Sequence, residues 1–375
     1  MKDIIEKPAD ITSYGKIAKT LCDEIRAGVY DGEVPFPSLT KIMKRFGISR
    51  PGAAWSVAEL KRLGLVTTKK GSGTSVVKRN RTIGLVIPGV ADSEFYQAIM
   101  DGIVFNCKNY GVDVIAGEIF PRDHVLRARE AVRLARHFAA RRVAGVIMQP
   151  VGFNAAANEI NFAIEGVLNN AKIPVVLIDY DILPPPERSH HDLVAIDNFN
   201  AGRRLALHLL DVGAKRICCF LRLLSAESVW TRYDGVDSVL KRAHGKCAAR
   251  IEGEPDDEKI VAAGLRKYHP DAIVCSNDIA ANNLLRTLRK LNVRVPEDIM
   301  LAGFDDVRLA SEMKPSLTTI HQPCFNLATA AFQTLISRID NPDLPSRTVL
   351  LDAPLVVRNS TKIAPAQPSA RQSKR

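Results

Sequence analysis

Residues 38–77 read SLTKIMKRFGISRPGAAWSVAELKRLGLVTTKKGSGTSVV. Leu39, Ile42, Met43 and Phe46 recur at helical spacing behind Ser38, a residue type that caps helix starts. Gly47 supplies a sharp turn. Ser49 is placed to cap the next helix, where Pro51 is tolerated because it falls in the first turn. Ala53, Ser56, Val57 and Leu60 gather on one side of that helix. At ~100° per residue Trp55 lies roughly 200° around from Ala53, off the core face. Gly64 stops the helix. Two runs rich in β-branched residues, Leu65–Thr68 and Thr74–Val77, then flank Lys69-Lys70-Gly71-Ser72-Gly73, which predicts a hairpin with a thin basic tip.

Upstream, Tyr14, Ile17, Ala18, Leu21 and Ile25 form one apolar stripe from about Ser13, ended by Gly28 and a turn containing Gly32, Pro35 and Pro37. Residues 1–12 read as a flexible arm. Three helices and a hairpin in this order predict a winged helix-turn-helix over 13–77. A thin tip can lie beside a phosphate backbone, and two lysines supply the charge. The charge distribution agrees. Residues 1–80 carry fifteen Lys/Arg against eight Asp/Glu, and residues 81–361 carry thirty-three of each. A basic head on a neutral body points to a polyanion met by the head alone.

Across residues 14–77 the head resembles the GntR family of winged-helix regulators. The resemblance rests on Tyr14, Ile17, Gly28, Pro37-Ser38, Ser49-Arg50, Glu59-Leu60, Gly64-Leu65 and Gly71-Ser72-Gly73-Thr74. It implies a dimer on double-stranded DNA, with the third helix in the major groove and the hairpin near the minor groove. The implied contact set is Tyr14, Ser38, Thr40, Lys41, Ser49, Arg50, Gly52, Trp55, Lys69, Lys70, Gly71, Ser72, Gly73 and Thr74. Thr40 and Ala54 stand where that family usually has basic residues, so base readout is expected to lean on Lys41, Arg50, Gly52 and Trp55.

After a polar linker, 78–82, apolar strand-like runs alternate with helical stretches. The expected strands are Ile83–Ile87, Val112–Ala116, Val143–Met148, Pro174–Asp179, Leu193–Ile196, Ile217–Leu221, Ala272–Cys275 and Ile299–Ala302. Such alternation predicts an α/β fold of parallel sheets covered by helices, with ligands at the strand carboxyl ends. Polar residues gather there: Asp179, Asp197-Asn198, Asn277-Asp278 and Asp305-Asp306, with Arg232 nearby. Carboxylates, an amide and a guanidinium suit a polyhydroxylated ligand, because each hydroxyl both donates and accepts. Asp278, just ahead of a helix, reads better as a cap.

VLIDYD (176–181), VAIDNFNAGRRLALHLLDVGAKRI (194–217), CSNDIAANNLL (275–285), LAGFDDVRLASEMKPSLTTIHQP (301–323) and LDAPLVVRNST (351–361) resemble the LacI-type effector domain over about 82–361. The resemblance implies a periplasmic-binding-protein-like domain, 83–361, with crossovers near Ile196–Asn198 and Ile320–Pro323. It implies one lobe of about 83–196 and 321–345, and a second of 197–320 and 346–361. The matched ligand positions are Arg232, Asn277 and Asp305, joined by Asp92, Phe95 and Tyr96; the strand-end Asp179 completes the expected ligand set. The usual LacI-type headpiece and hinge helix are replaced by the winged helix, as in arabinose-responsive repressors.

No G-x-S-x-G, P-loop, G-x-G-x-x-G after a strand or metal-spaced cluster occurs, so neither catalysis, cofactor nor metal is expected. His190-His191 adjoin a proline-rich loop, and adjacent loop histidines are expected to point apart. The seven scattered cysteines read as buried thiols. MKDIIEKPAD carries acids and a proline where a secretory signal would be apolar, and no apolar run is long enough to span a membrane, so a cytoplasmic location is expected. Residues 362–375 read as a disordered basic tail. The expected protein is a homodimeric repressor released or recruited by a small sugar. An activator, a sensor of a purine or other metabolite, and a solute-binding protein without DNA function are the alternatives.

Overall fold

The computed structural model describes residues 9–26, 28–30, 34–62, 65–69, 73–76, 82–87, 93–117, 124–152, 157–245 and 247–362. Residues 1–8 of the arm, most of the linker, Lys70, Gly71 and Ser72 of the hairpin tip, Asp92 and the tail beyond Lys362 lie outside these; residues 9–12, expected in the arm, are instead the first turn of a helix.

The head consists of α1 (Ala9–Arg26), α2 (Leu39–Phe46), α3 (Arg50–Arg62) and an antiparallel hairpin of β1 (Val66–Lys69) and β2 (Gly73–Val76). Ser38 caps α2 by accepting from the Lys41 amide. Gly47 closes α2 at φ +64°, a left-handed conformation that glycine adopts without a Cβ penalty. Leu21, Ile42, Ala53 and Leu60 are fully buried where the three helices meet. Glu24 of α1 pairs with Arg45 of α2, and the Tyr30 hydroxyl donates to the same carboxylate.

The body holds two six-stranded sheets. In the first, β13 (Thr348–Leu351), β7 (Asp192–Ile196), β6 (Val175–Ile178), β5 (Val146–Met148), β3 (Thr82–Val86) and β4 (Asp113–Gly117) run in that order, all parallel. The second orders β14 (Leu355–Val356), β12 (Thr318–His321), β11 (Met300–Asp305), β10 (Ala272–Cys275), β8 (Ile217–Leu221) and β9 (Ala249–Glu252), with only β14 antiparallel. The inner strands are apolar throughout because helices cover both faces, and all five residues of β8 are buried.

The chain passes between the sheets after β7, after β12 and again between β13 and β14. The last passage corrects one expectation. Residues 346–361 do not all belong with the second lobe: Thr348–Leu351 pair with Leu193–Ile196 in the first sheet. The short edge strand β13 alternates exposed and half-buried residues, so its sequence carries no sign of which sheet it joins. Strand β9 and the helix after it, α9 (Glu258–Tyr268), add a βα unit absent from the expected series. ARIE is short, charged and partly exposed, which hides it from any search for apolar runs.

Helix α4 (Glu94–Asn109) packs on α12 (Cys324–Asp340) over the first sheet. In the second lobe α7 (Asn198–Asp211) lies against α8 (Glu227–His244). Two glycines let those backbones touch. A Cβ on Gly202 would stand 2.1 Å from the Arg232 carbonyl oxygen, and one on Gly235 would stand 2.1 Å from that of Phe199. This contact fixes the height at which Arg232 leaves α8.

Candidate functional site: a nucleic-acid face and a polar cleft

On the head, the exposed residues of α3 are Arg50, Pro51, Ala54, Trp55, Ala58, Lys61 and Arg62, one stripe along the helix. Trp55 is 40% exposed, off the core as its position predicts. Thr40 and Lys41 on α2, and Ser49 ahead of α3, are also exposed. Gly52 is not available to a base, contrary to expectation. It is buried, and an added Cβ would stand 2.4 Å from the Tyr14 ring. Glycine is needed there so that Tyr14 can hold α1 against α3. The Ser56 hydroxyl, shared between the Gly52 and Tyr14 carbonyls, completes that junction. Lys69 pairs in register with Gly73 at the base of the hairpin tip, and Gly73 takes φ +79° to make the turn.

In the body, the carboxyl ends of both sheets converge on one cleft. From the second lobe come Arg232 on α8, Ser276 after β10, Asp305 at the end of β11 and Gln322 after β12. Arg232 is 5% exposed. Its Nε donates to Asn198 Oδ1 at 2.8 Å and its Nη1 to the Ser276 carbonyl at 2.9 Å. The same Nη1 lies 3.7 Å from Asp305 Oδ1, and the guanidinium sits over the Phe304 ring at 4.7 Å. Gln322 Nε2 donates to Asp305 Oδ1 at 2.7 Å.

From the first lobe come Gln149, after β5, and Asp179, after β6. Gln149 Nε2 donates to Asp179 Oδ2 at 3.3 Å, and Ser228 of α8 reaches across to the same oxygen at 3.5 Å. Asp179, Asp305 and Asp306 have φ of +80°, +108° and +55°, conformations that cost energy outside glycine and gather at binding sites. Burial pushes the Asp305 carboxyl up to about 6, against the opposing pull of Arg232 and Gln322. Burial also raises Asp179.

Four buried polar atoms have no hydrogen-bond partner among the described residues: Gln149 Oε1, Asp179 Oδ1, Ser276 Oγ and Gln322 Oε1. All four belong to this cleft. Leaving such an atom unpaired costs about 1–3 kcal/mol. A cavity of about 410 Å³ adjoins, lined by Phe95, Asp305, Asp306, His321 and Gln322.

Arg232, Asp179 and Asp305 thus come together as the sequence predicts. Tyr96 joins them, its hydroxyl raised by burial and by Asp179. Phe95 packs edge-on against Tyr96, with ring centroids 5.2 Å apart. Asn277 is differently engaged: its Oδ1 accepts from the Ala280 amide at 2.8 Å and caps α10 (Asp278–Lys290). Asp278, read as the cap, is instead fully buried. It accepts from the Thr319 hydroxyl at 2.7 Å and the Val307 amide at 3.1 Å, tying three segments behind the cleft. Gln149, Gln322 and Ser228 escape sequence reading, because a lone amide or hydroxyl after an apolar strand has no distinctive spacing.

Asn161 of α6 (Ala157–Asn170) is buried and bonds both the amide and the carbonyl of Val151, so one residue of this Asn-rich stretch is structural. His190 and His191 do not point apart. Their rings lie 4.1 Å from each other and both face Glu165.

The head matches the bacterial regulatory protein gntR family over residues 13–76, and the body matches the periplasmic binding protein-like domain over 206–361. The HTH-type transcriptional repressor PurR of Vibrio atlanticus is 28% identical over 292 residues, covering 75% of this chain and 81% of that protein. The transcription regulator CcpA of Lactococcus lactis superimposes with a TM-score of 0.65 at 22% identity, over 76% of this chain and 100% of that one. A LacI family transcriptional regulator from Enterococcus faecium with bound ribose gives 0.60 at 24% identity, over 74% and 98%. The chain is therefore a DNA-binding transcription regulator, in which a head similar to the gntR family of bacterial regulatory proteins is joined to a body similar to the periplasmic binding protein-like domain.

Proposed function

We propose that the protein is a homodimeric cytoplasmic repressor, not an enzyme, whose hold on operator DNA is set by a small sugar bound between the lobes. The observation that carries the sugar reading is the set of four unpartnered polar atoms beside Arg232 and Asp305. Three of them are carboxylate or amide oxygens that only accept, and the fourth is a hydroxyl. A ligand bearing several O–H groups satisfies them together, whereas an apolar ligand leaves each one unpaired. The ribose held by the Enterococcus faecium protein supports the same class. A nucleobase is the second reading, favoured by the aromatic Tyr96 beside Asp179, Asp305 and Arg232. Calorimetric titration with sugars and nucleobases in parallel separates the two.

Ligand that prefers one arrangement of the lobes shifts the population of dimers whose heads fit the operator, and ~1–3 kcal/mol of coupling gives several-fold to hundredfold control. With no hinge helix, the coupling must pass through the linker, 78–82, and the dimer contacts.

A pH dependence follows from Asp305. Its ionised carboxylate accepts from sugar hydroxyls; once protonated it becomes a donor competing with them. Its pKa in the ligand-free fold is raised to about 6, so the accepting form is lost as pH falls through that value. Effector affinity is expected to hold steady from pH 8 to 7 and to weaken about tenfold per unit below about pH 6. Titration at pH 7 and pH 5 checks this, and equal affinities would contradict it.

Arg50 is exposed at the start of α3, where a cation meets phosphate or a base edge. Arg50→Ala is expected to weaken binding at least tenfold to an operator selected by the wild-type protein from random duplexes. Effector affinity is expected to stay within twofold. Fluorescence anisotropy measures the first and calorimetry the second.

A further inference from the structure

We propose that Glu165, His190 and His191 form a binding site for a divalent transition metal ion of the zinc type. Glu165 projects from α6, and the histidines immediately precede β7. Glu165 Oε1 lies 3.0 Å from His191 Nε2 and 3.6 Å from His190 Nδ1, and the three ligand atoms fall within 4.8 Å of one another. Donors held 2.0–2.1 Å from a tetrahedral zinc ion stand about 3.3 Å apart, so the two shorter separations bracket the required edge. Two imidazoles and a carboxylate form a donor set suited to zinc, cobalt or nickel rather than magnesium or calcium. A fourth position is left for water.

The surroundings suit an ion. His191 is 5% exposed, so its ring is held in place, while His190 is 66% exposed and admits solvent. A cavity of about 510 Å³ opens beside both histidines and is walled by Asn169, Lys172 and Arg338. Lys172 is a nearby cation that lowers affinity. Arg338 is already committed to Asp192, at 3.0 Å.

The position gives the site a consequence. Strands β6 and β7 are parallel, and no helix joins them; residues 179–191 return from the cleft end of the sheet to its opposite end. That segment begins with Asp179 in the cleft and ends with the two histidines. At ~3.3 Å per residue the five-residue β7 separates the metal site from the cleft by roughly 16 Å. An ion there anchors the far end of the segment that carries Asp179, and so braces the cleft without touching its ligand.

The test uses tag-free, full-length protein dialysed against chelator and titrated with Zn²⁺ alone by calorimetry, then with Co²⁺ by visible absorption. One ion per chain is expected, with the d–d bands of a low-symmetry N/O site for Co²⁺ and a raised melting temperature. Glu165→Gln keeps the side-chain shape, and His190→Ala removes an exposed ring, so both variants retain the fold. Each is expected to weaken binding at least tenfold and to lose the rise in melting temperature. Cys247→Ser removes the exposed thiol and is expected to change nothing. Absence of saturable binding, binding unaltered in the first two variants, or binding lost only with Cys247 would each overturn the proposal. Effector titration of the same samples is a separate readout, so failure here leaves the cleft assignment standing.

Discussion

Arg232→Ala is expected to abolish the effector response while leaving operator affinity within twofold of wild type. The side chain bonds Asn198 and the Ser276 carbonyl, approaches Asp305 at 3.7 Å and lies over Phe304. Removing it deletes a ligand contact, takes the donor from Asn198 Oδ1 and from the Ser276 carbonyl, and strips Asp305 of its neighbouring positive charge, leaving that carboxylate only the Gln322 bond among the described residues. Hydrogen bonds to charged groups are worth about 1.5–3 kcal/mol each, and every 1.4 kcal/mol is about tenfold in affinity. A loss of about a hundredfold or more in effector affinity follows. Arg232→Lys keeps the charge but not the planar fork, so it should recover little of that loss. The head is distant in sequence and packs around its own core, which is why DNA binding is spared.

The second large effect is on stability. Gly235→Ala places a Cβ 2.1 Å from the Phe199 carbonyl oxygen, where backbone meets backbone and no side chain can rotate away. Helices α7 and α8 must separate, at a cost of about 3 kcal/mol. For a body of about 280 residues that lowers the melting temperature by about 5 °C. Separation also displaces Arg232, three residues away on α8, so residual folded protein should bind effector weakly. Gly166→Ala is the matched control: it too is helical, but nothing lies within 4 Å of its added Cβ. It should be neutral or stabilising by up to about 1 kcal/mol. Differential scanning calorimetry of both variants decides the matter, and equal melting temperatures would show that the helices tolerate spreading.

Much of this architecture was legible in the sequence because it is written in periodicity. The helical stripes of the head, the Gly47 turn and the apolar strands of the body all follow from burial on one face or two. The parts that escaped have physical reasons. Strand β9 is charged and half exposed, and β13 joins its sheet through backbone pairing that leaves no apolar signature. In the cleft, charged residues at strand ends were visible, whereas Gln149, Ser228 and Gln322 enter it only through where the fold puts them. Gly52 shows the opposite failure. Its place in a recognition helix suggested a contact with DNA, but the space above it belongs to Tyr14. The near approach of His190 and His191 to Glu165 depends on a helix about twenty-five residues upstream, which no local pattern announces.

The most direct test is a thermal-shift titration of wild type and Arg232→Ala against mono- and oligosaccharides, with nucleobases alongside. A ligand at a hundred times its dissociation constant adds about 2.7 kcal/mol to stability. A sugar-binding cleft built on Arg232 predicts that at least one sugar raises the melting temperature of the wild type, that no nucleobase does, and that the shift vanishes in Arg232→Ala. A shift from a nucleobase alone, or a sugar shift that survives in the variant, would contradict it.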